Sequence, residues 1–348
     1  MDELINYNSI DDMNEVNMEF SEYMNMINST TYEINLSDEP NDIRSSEVSS
    51  VESISSIASM NENDPIIEGG SKSFLTFNAS VSNKKVIKDL EKFPFQIMAS
   101  TRNYLTTQTI NGYPEVKNEN LLLHMNYITR VFNNNAIETN SKERAGLRQY
   151  AKLAERVGTK DILIHMPTNC VEANNIEKGL RIINTELLTK NLIVHLEIAP
   201  WSQDLIIARK IKSTSNPVEY ISQFLDEMIT YMKPYGNKLR IVFDTAHLYA
   251  LGAEVNDQIT LFNKYRHYMK YCHLNGNEHG KLTSDSHAPI MSNKSKIKNW
   301  EQLSSYLSKQ GLICVAEITK YGKEWHEWEE YAKKYNFDLI PFHEQLSI

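Results

Sequence analysis

Cysteine is scarce in this sequence, and its spacing offers no framework for disulfides. Only Cys170, Cys272 and Cys314 occur among 348 residues, with no CxxC pair. A small secreted domain held together by disulfides is therefore excluded. Two of the three cysteines fall in apolar, strand-like runs. We expect reduced, buried thiols in an intracellular protein, either nuclear or cytoplasmic. The abundance of Asn, Ile, Lys and Tyr also hints at an AT-rich genome such as that of a large DNA virus.

Long apolar segments are also missing, so no membrane partner is expected. No run of apolar residues is long enough to cross a bilayer. The opening stretch MDELINYNSIDD has no basic region, no apolar region and no Arg-rich amphipathic pattern. Neither a secretory nor a mitochondrial address is therefore predicted.

Basic residues are almost absent from the first seventy positions. Arg44 is the single base there against sixteen Asp and Glu, a balance of −15, so the total of −9 leaves +6 for residues 71–348. We predict a disordered, acidic, Ser- and Asn-rich extension and linker at 1–72. It would serve as a solubilising tail or as an arm that binds a partner or mimics nucleic acid. The basic remainder, 73–348, can bind a polyanion.

Short apolar runs alternate with amphipathic stretches after the linker. The predicted strands lie at 73–79, 94–100, 120–124, 161–166, 192–198, 239–245, 270–275 and 312–318. One predicted helix has Asn216 as N-cap and Pro217 at its first position, and another stops at Gly158. Eight strands alternating with helices over this length predict a (β/α)₈ TIM barrel, an α/β fold.

Side chains that can bind metal ions follow the ends of six consecutive predicted strands. In such a barrel these ends meet at one rim, where the active site lies. Taken singly, each has a plain structural reading, for example a hydrogen-bonded histidine or an aspartate that caps a helix. As a set they predict metal binding. The nine candidates are His124, His165, Glu197, Asp244, His247, His273, Asp285, His287 and Glu317.

The mixture of imidazole and carboxylate favours zinc, with manganese as the alternative at one site. Nine ligands exceed the need of one tetrahedral ion and suit three ions with a bridging carboxylate. Clustered divalent ions suit hydrolysis of a phosphodiester, because they activate water and neutralise the attacking and leaving oxygens. The basic body agrees with a nucleic-acid substrate.

The sequence resembles the endonuclease IV family of apurinic/apyrimidinic (AP) endonucleases over roughly residues 74–335. The resemblance rests on VFDTAHLYALG, CHLN and DSH, supported by LLLHMNY, LIHMP, HLEIA and VAEIT. It implies a DNA-repair enzyme, active on double-stranded DNA, that cleaves the phosphodiester 5′ to an abasic site. The products would be a 3′-hydroxyl and a 5′-deoxyribose phosphate, and the abasic nucleotide would flip into the barrel mouth.

The same resemblance distributes the candidate ligands over three zinc ions, with Glu197 and Glu317 as catalytic residues in a protein expected to be monomeric. Tyr127 and Arg102 match residues that enter the DNA stack around the lesion. The implied ligand sets are His124, His165 and Glu197; Glu197, Asp244, His273 and Glu317; and His247, Asp285 and His287.

Four loops depart from the family pattern. NASVSNKK lacks the first-strand His and glycines, APWSQ replaces a Gly-rich loop, HMP is followed by Asn-Cys, and GKLTS lacks an expected Arg. None of these positions is an implied zinc ligand, so the departures concern DNA contacts and turnover. Two alternatives therefore stay open: a DNA-binding relative with weakened catalysis, and a metal-dependent sugar isomerase on the same barrel.

His195 and a tryptophan-rich C-terminal stretch are assigned structural places. His195 shares a strand face with Glu197 but lies two residues deeper, so we expect a core residue or a support for the site. Trp328 and Tyr331 lie in WHEWEEYAKKY, which we interpret as the last helix packing on the barrel.

Overall fold

The chain forms a closed barrel of eight parallel strands. A computed structural model describes residues 72–79, 95–99, 104–113, 115, 121–126, 131–132, 142–169, 173–282, 286–317 and 325–339. The eight strands are β1 (Phe74–Ala79), β2 (Phe95–Met98), β3 (Leu121–His124), β4 (Asp161–His165), β5 (Ile193–Glu197), β6 (Leu239–Asp244), β7 (Tyr271–His273) and β8 (Ile313–Ala316). Each pairs with the next in parallel, and β8 pairs with β1 to close the ring. All eight predicted strands are thereby confirmed.

Helices connect the strands and cover the barrel. Those in the described residues are α1 (Thr107–Asn111), α2 (Lys142–Val157), α3 (Ala173–Glu186), α4 (Gln203–Ala208), α5 (Pro217–Met232), α6 (Thr245–Ala250), α7 (Val255–Tyr265), α8 (Trp300–Leu307) and α9 (Trp325–Tyr335). No helix among them is long and apolar enough to cross a membrane.

The predicted helix ends are confirmed by their capping contacts. The side chain of Asn216 accepts a hydrogen bond from the N–H of Val218 at 3.0 Å, with Pro217 opening α5. Gly158, just past α2, has a φ of +66°, the left-handed conformation that glycine adopts most readily.

One strand was not anticipated from the sequence. β9 (Asp338–Leu339) pairs in parallel with the start of β1, at Phe74 and Leu75, whereas β2 pairs with the end of β1. The two-residue strand is too short to produce a periodic signal, and only the tertiary pairing defines it.

Two apolar layers hold the barrel together. The larger lies between the sheet and the helices and contains Phe77 of β1, which meets Trp328 of α9 edge to face at 5.6 Å. The expected packing of the last helix is therefore confirmed. The free, buried thiols of Cys272 and Cys314 lie in the same layer. The smaller layer fills the barrel interior with Leu122, Leu163, Val242 and Tyr271.

The interior layer places the candidate ligands above it. Strand side chains alternate between the two faces of a sheet, so a residue two positions further along points the same way, one layer higher. His124, His165, Asp244 and His273 each lie two residues after a member of the interior layer. The apolar plug thus forms the floor beneath the polar groups at the barrel mouth.

Candidate metal centre

Eight of the nine predicted ligands converge at the C-terminal ends of the strands. They form three groups whose ligand atoms lie within 4.8 Å of one another, and Glu197 and Asp244 each belong to two groups. Asp285 lies outside the described residues, as do Tyr127 and Arg102, so their predicted roles stay predictions. The groups are His124, His165 and Glu197; Asp244, His247 and His287; and Glu197, Asp244, His273 and Glu317.

Glu197 lies at the centre of the arrangement. Its Oε2 is 3.5 Å from Nε2 of His124 and 3.1 Å from Nε2 of His165, and its Oε1 is 2.9 Å from Nδ1 of His273. The side chain is fully buried, and Oε2 makes no hydrogen bond with any residue that the structure describes. A buried carboxylate oxygen without a hydrogen bond is costly unless a cation compensates it.

These spacings fit metal ligands. Ligand atoms at about 2.0–2.1 Å from a tetrahedral ion lie roughly 3.3 Å from each other. The distances around Oε2 of Glu197 bracket that value. In a second group, Nε2 of His287 lies 3.3 Å from Nε2 of His247 and 3.5 Å from Oδ2 of Asp244. The residues present therefore fit divalent ions that prefer mixed nitrogen and oxygen ligands.

Three of the histidines hold one ring nitrogen on a protein acceptor; in His124 and His273 the other nitrogen faces the carboxylates, and in His247 it lies 3.3 Å from Nε2 of His287. Nδ1 of His124 lies 2.6 Å from the carbonyl oxygen of Met125, and Nδ1 of His247 lies 2.9 Å from that of Ile198. Nε2 of His273 lies 2.8 Å from the side chain of Gln96. Such a partner on the far nitrogen fixes the ring and its tautomer, as is usual for histidines that bind metal.

Asp244 serves two structures at once. Oδ1 accepts hydrogen bonds from the N–H groups of Ala246 at 2.6 Å and His247 at 3.2 Å, so Asp244 caps α6. Oδ2 faces the centre, 2.6 Å from Nδ2 of Asn275 and 3.5 Å from Nδ1 of His273. The capping interpretation and the ligand interpretation of this strand-end aspartate are compatible, because the carboxylate has one oxygen for each.

The loop that carries His287 is tied to the same rim. Gly276 and Ala288 exchange two backbone hydrogen bonds, of 2.7 and 3.0 Å. The N–H of Leu282 donates to the carbonyl oxygen of Ala250, at the end of α6, at 2.6 Å. Leu282 has a φ of +53°, a strained conformation for a bulky residue. Strain of this kind is found where the surrounding structure fixes a functional loop.

The charges in the centre shift the pKa values of its members. Burial by itself raises the pKa of the Glu197 carboxyl, but the adjacent His273 and His165 hold that pKa well below its usual range. Burial also raises the pKa of Asp244, but His247 and His287 outweigh burial and lower it. The pKa of His273 is raised well above its ordinary value by Glu197 and Glu317, against the effect of burial. Glu197 and Asp244 are therefore anionic at neutral pH and attract cations.

Two polar residues at the site were not identified from the sequence. Gln96 is fully buried on β2 and contacts both His273 and Glu317. Asn275, within the CHLN motif, bonds Asp244 and accepts from the N–H of Glu317 at 2.9 Å. The only signal for Gln96 was a polar residue inside the apolar run FQIM. That signal is weak, because the residues that Gln96 contacts, His273 and Glu317, are distant in sequence.

His195 lies below the centre, as expected. Its Nε2–H donates to Oδ1 of Asp161 at 2.7 Å, and Oδ2 of Asp161 accepts from Lys270 at 2.5 Å and Tyr271 at 2.9 Å. His195 lies one side-chain layer below Glu197 and meets Tyr271 of the barrel floor at 4.9 Å, so this network supports the floor.

Neither the family models nor the curated proteins contain a match to this chain. Among solved structures it is similar to that of AsfvAP:AG, at 15% identity over 76% of this chain and 98% of that chain, with a TM-score of 0.49. It is also similar to the 3-keto-D-glucoside 4-epimerase YcjR from E. coli, at 12% identity over 76% and 99% of the two chains, with a TM-score of 0.47. A third is the TTHB071 protein from Thermus thermophilus, soaked with ZnCl₂, at 11% identity over 75% and 98%, with a TM-score of 0.47. These similarities concern the barrel fold and decide nothing about activity.

Proposed function

We propose that this protein is a zinc-dependent AP endonuclease that hydrolyses the DNA phosphodiester 5′ to an abasic site. The observation that carries the proposal is the set of three His and carboxylate groups joined through Glu197 and Asp244 at one barrel mouth. A centre for several ions suits phosphodiester hydrolysis, in which charge develops on both the attacking and the leaving oxygen. A site for a single structural ion would not need shared carboxylates.

The charge of the site supports an anionic substrate only when cations are bound. Glu197, Asp244 and Glu317 give the described part of the mouth three negative charges, and Asp285 would add a fourth. Such a surface repels phosphate. Three divalent ions would bring six positive charges, leaving the mouth with a net charge of about +2 if the histidines are neutral. Residues 71–348 as a whole, with the carboxylates of the mouth included, carry a balance of +6 and would attract DNA over a longer range.

The chain's own residues have distinct tasks in this proposal. Glu197 would bridge two ions, since its two oxygens face different histidines. Glu317 would bind an ion from the end of β8, where its side chain is 5% exposed, whereas those of Glu197 and Asp244 are fully buried. Bound zinc would supply an activated water and polarise the phosphate. Tyr127 and Arg102 are proposed to contact DNA, and the protein is proposed to act as a monomer.

The contacts of the carboxylates weigh against a sugar isomerase. Metal-dependent isomerases on this scaffold usually place a catalytic lysine near the ions. Across the described part of the chain, every ion-pair partner of Glu197, Asp244 and Glu317 is a histidine. A DNA-binding relative without turnover would share the same centre and differs only in the outcome of a cleavage assay.

The test is nicking of a labelled duplex that carries one stable abasic-site analogue, with an intact duplex of the same sequence as control. Zinc-loaded full-length protein should cut once, 5′ to the analogue, and leave the intact duplex whole. Activity should resist brief magnesium chelation and disappear when zinc is stripped. Binding of the abasic duplex without a cut would favour the non-catalytic relative. Neither binding nor cutting by folded, zinc-loaded protein would overturn the proposal.

A further inference from the structure

Gln96 joins two of the candidate ligands from a strand that supplies none. It is fully buried on β2, inside the barrel mouth. Its Nε2 donates to Oε1 of Glu317 at 2.6 Å, and its Oε1 lies 2.8 Å from Nε2 of His273. The two ligands belong to β7 and to the end of β8, and β1 lies between β8 and β2 in the ring.

The chemistry of the three side chains assigns the donor and the acceptor in both contacts of Gln96. The ionised carboxylate of Glu317 can only accept hydrogen bonds, so the NH₂ group of Gln96 must face it. The amide oxygen of Gln96 then faces His273, which must carry a proton on Nε2 to donate to it. In the neutral ring this leaves the lone pair on Nδ1.

When His273 is neutral, as a metal ligand must be, that lone pair points at the centre. Nδ1 of His273 lies 2.9 Å from Oε1 of Glu197, 3.3 Å from Oε2 of Glu317 and 3.5 Å from Oδ2 of Asp244. The same glutamine holds Oε1 of Glu317, which directs the other oxygen, Oε2, toward the same point. One uncharged side chain therefore orients two ligands of different chemistry.

We propose that Gln96 is a positioning residue that selects the metal-binding tautomer of His273 and the metal-binding orientation of Glu317. The role rests on the metal centre of the proposed function and extends it to a residue outside the ligand set. Glutamine suits the position because it accepts from one neighbour and donates to the other. A carboxylate could only accept, and an apolar side chain could do neither. Loss of such a partner costs about 10- to 100-fold in metal affinity.

The first variant is Gln96→Met, which keeps the length of the side chain and removes both hydrogen bonds. Gln258→Met is the matched control. Gln258 is also fully buried, but its Nε2 donates to the backbone carbonyls of Thr245 and Ala253 rather than to a candidate ligand side chain. Both full-length variants are titrated with zinc against a competing chelator, and folding is followed by circular dichroism.

The expected result is a loss of about 10- to 100-fold in zinc affinity for Gln96→Met. Gln258→Met should retain wild-type affinity even where it lowers the melting temperature. Wild-type zinc affinity in folded Gln96→Met would overturn the inference. Because zinc binding is measured apart from cleavage, the inference survives a wild-type protein that binds zinc but does not nick DNA. The proposed function, in turn, survives a Gln96 variant that binds zinc normally.

A second variant, Gln96→Glu, separates orientation from charge. It keeps an acceptor for His273, removes the donor to Glu317 and adds a negative charge beside the centre. If charge alone governed affinity, zinc would bind more tightly than in the wild type. Weaker binding is expected, because the new carboxylate repels Glu317 at 2.6 Å and turns it away from the ion site. Tighter binding would contradict the positioning role.

Discussion

Asp244 caps the helix that presents His247: the backbone N–H of His247 donates to Oδ1 of Asp244 at 3.2 Å. The other oxygen of the same carboxylate faces His287 and His273. The end of β6 and the start of α6 are thus fixed by one side chain, and the two candidate ligands on either side of that junction cannot move independently. The cap of α6 and the arrangement of the candidate ligands therefore depend on the same residue.

This double use predicts that the two tasks of Asp244 can be separated. Asp244→Ser keeps an N-cap oxygen and lacks an anionic ligand, whereas Asp244→Ala lacks both. Both variants should bind less zinc, because Asp244 belongs to two of the three candidate ligand groups. The alanine variant should unfold more easily than the serine variant by about 1 kcal/mol, the usual value of an N-cap. Equal stabilities in urea denaturation would show that the cap contributes nothing here.

Glu317→Gln should nearly abolish cleavage while leaving the barrel folded. The change removes one negatively charged candidate ligand and is almost isosteric. Nicking should fall by more than about 100-fold, beyond the loss usual for an outer partner of a metal ligand. Glu301→Gln, an exposed position on α8, is the control and should nick normally. Wild-type cleavage by Glu317→Gln would exclude the proposed role.

Gly276→Ala should disturb the loop that carries His287. A Cβ at Gly276 would lie 2.6 Å from Oγ and 2.8 Å from Cβ of Ser295, so the loop must shift. Overpacking of this kind costs about 1–3 kcal/mol. We expect a lower zinc content per folded molecule, measured by atomic emission. Gly280→Ala is the control, since no atom lies within 4 Å of its added Cβ, although its φ of +121° adds strain. If the two variants contain the same amount of zinc, steric displacement at Gly276 does not affect zinc binding, and the prediction is wrong.

Asp161→Asn should lower the free energy of unfolding by about 3 kcal/mol or more, because it leaves buried donors without their anion. Asp161 is 1% exposed and bonds His195, Lys270 and Tyr271. Asp226→Asn, at an exposed ion pair with Lys264, should cost less than about 1 kcal/mol. If chemical denaturation shows that the two variants lose a similar free energy of unfolding, the buried network does not stabilise the protein more than the exposed ion pair does.

The contribution of Asp161 to the stability of the fold should also depend on pH, and it should decrease as the pH falls. Burial raises the pKa of this carboxyl, but His195 and Lys270 outweigh burial and lower it. A lowered pKa gives stability that is present above the unfolded-state pKa, about 3.9, and is lost as the pH falls toward the folded-state value. The difference in the free energy of unfolding between the wild type and Asp161→Asn should therefore become smaller below about pH 4.

Lys210→Gly should stabilise the protein by about 0.5–1 kcal/mol. Lys210 follows α4 with a φ of +55°, a position where glycine avoids the strain of a Cβ. Lys212 is an exposed lysine nearby without positive φ, and Lys212→Gly should destabilise by adding freedom to the unfolded chain. A shift of the same sign in both melting temperatures would contradict the argument from backbone strain.

The sequence by itself determined the barrel and the rim at which eight of the nine candidate ligands meet. Alternating apolar runs located all eight strands, and the capping residues Asn216 and Gly158 marked helix ends, because these signals are local. The strand-end histidines and carboxylates could be placed at one rim because parallel strands in a barrel share their C-terminal face. Once a barrel is predicted, residues scattered from position 124 to 317 are therefore expected to form one site.

Only the tertiary structure decided how these residues meet. The membership of Glu197 in two ligand groups, the two separate uses of Asp244 and the contacts of Gln96 depend on side chains from strands far apart in the chain. No local pattern records a contact such as that between Gln96 and Glu317, which are separated by 221 positions. Sequence periodicity gives the face on which a side chain lies, whereas closure of the barrel sets the distances across its mouth.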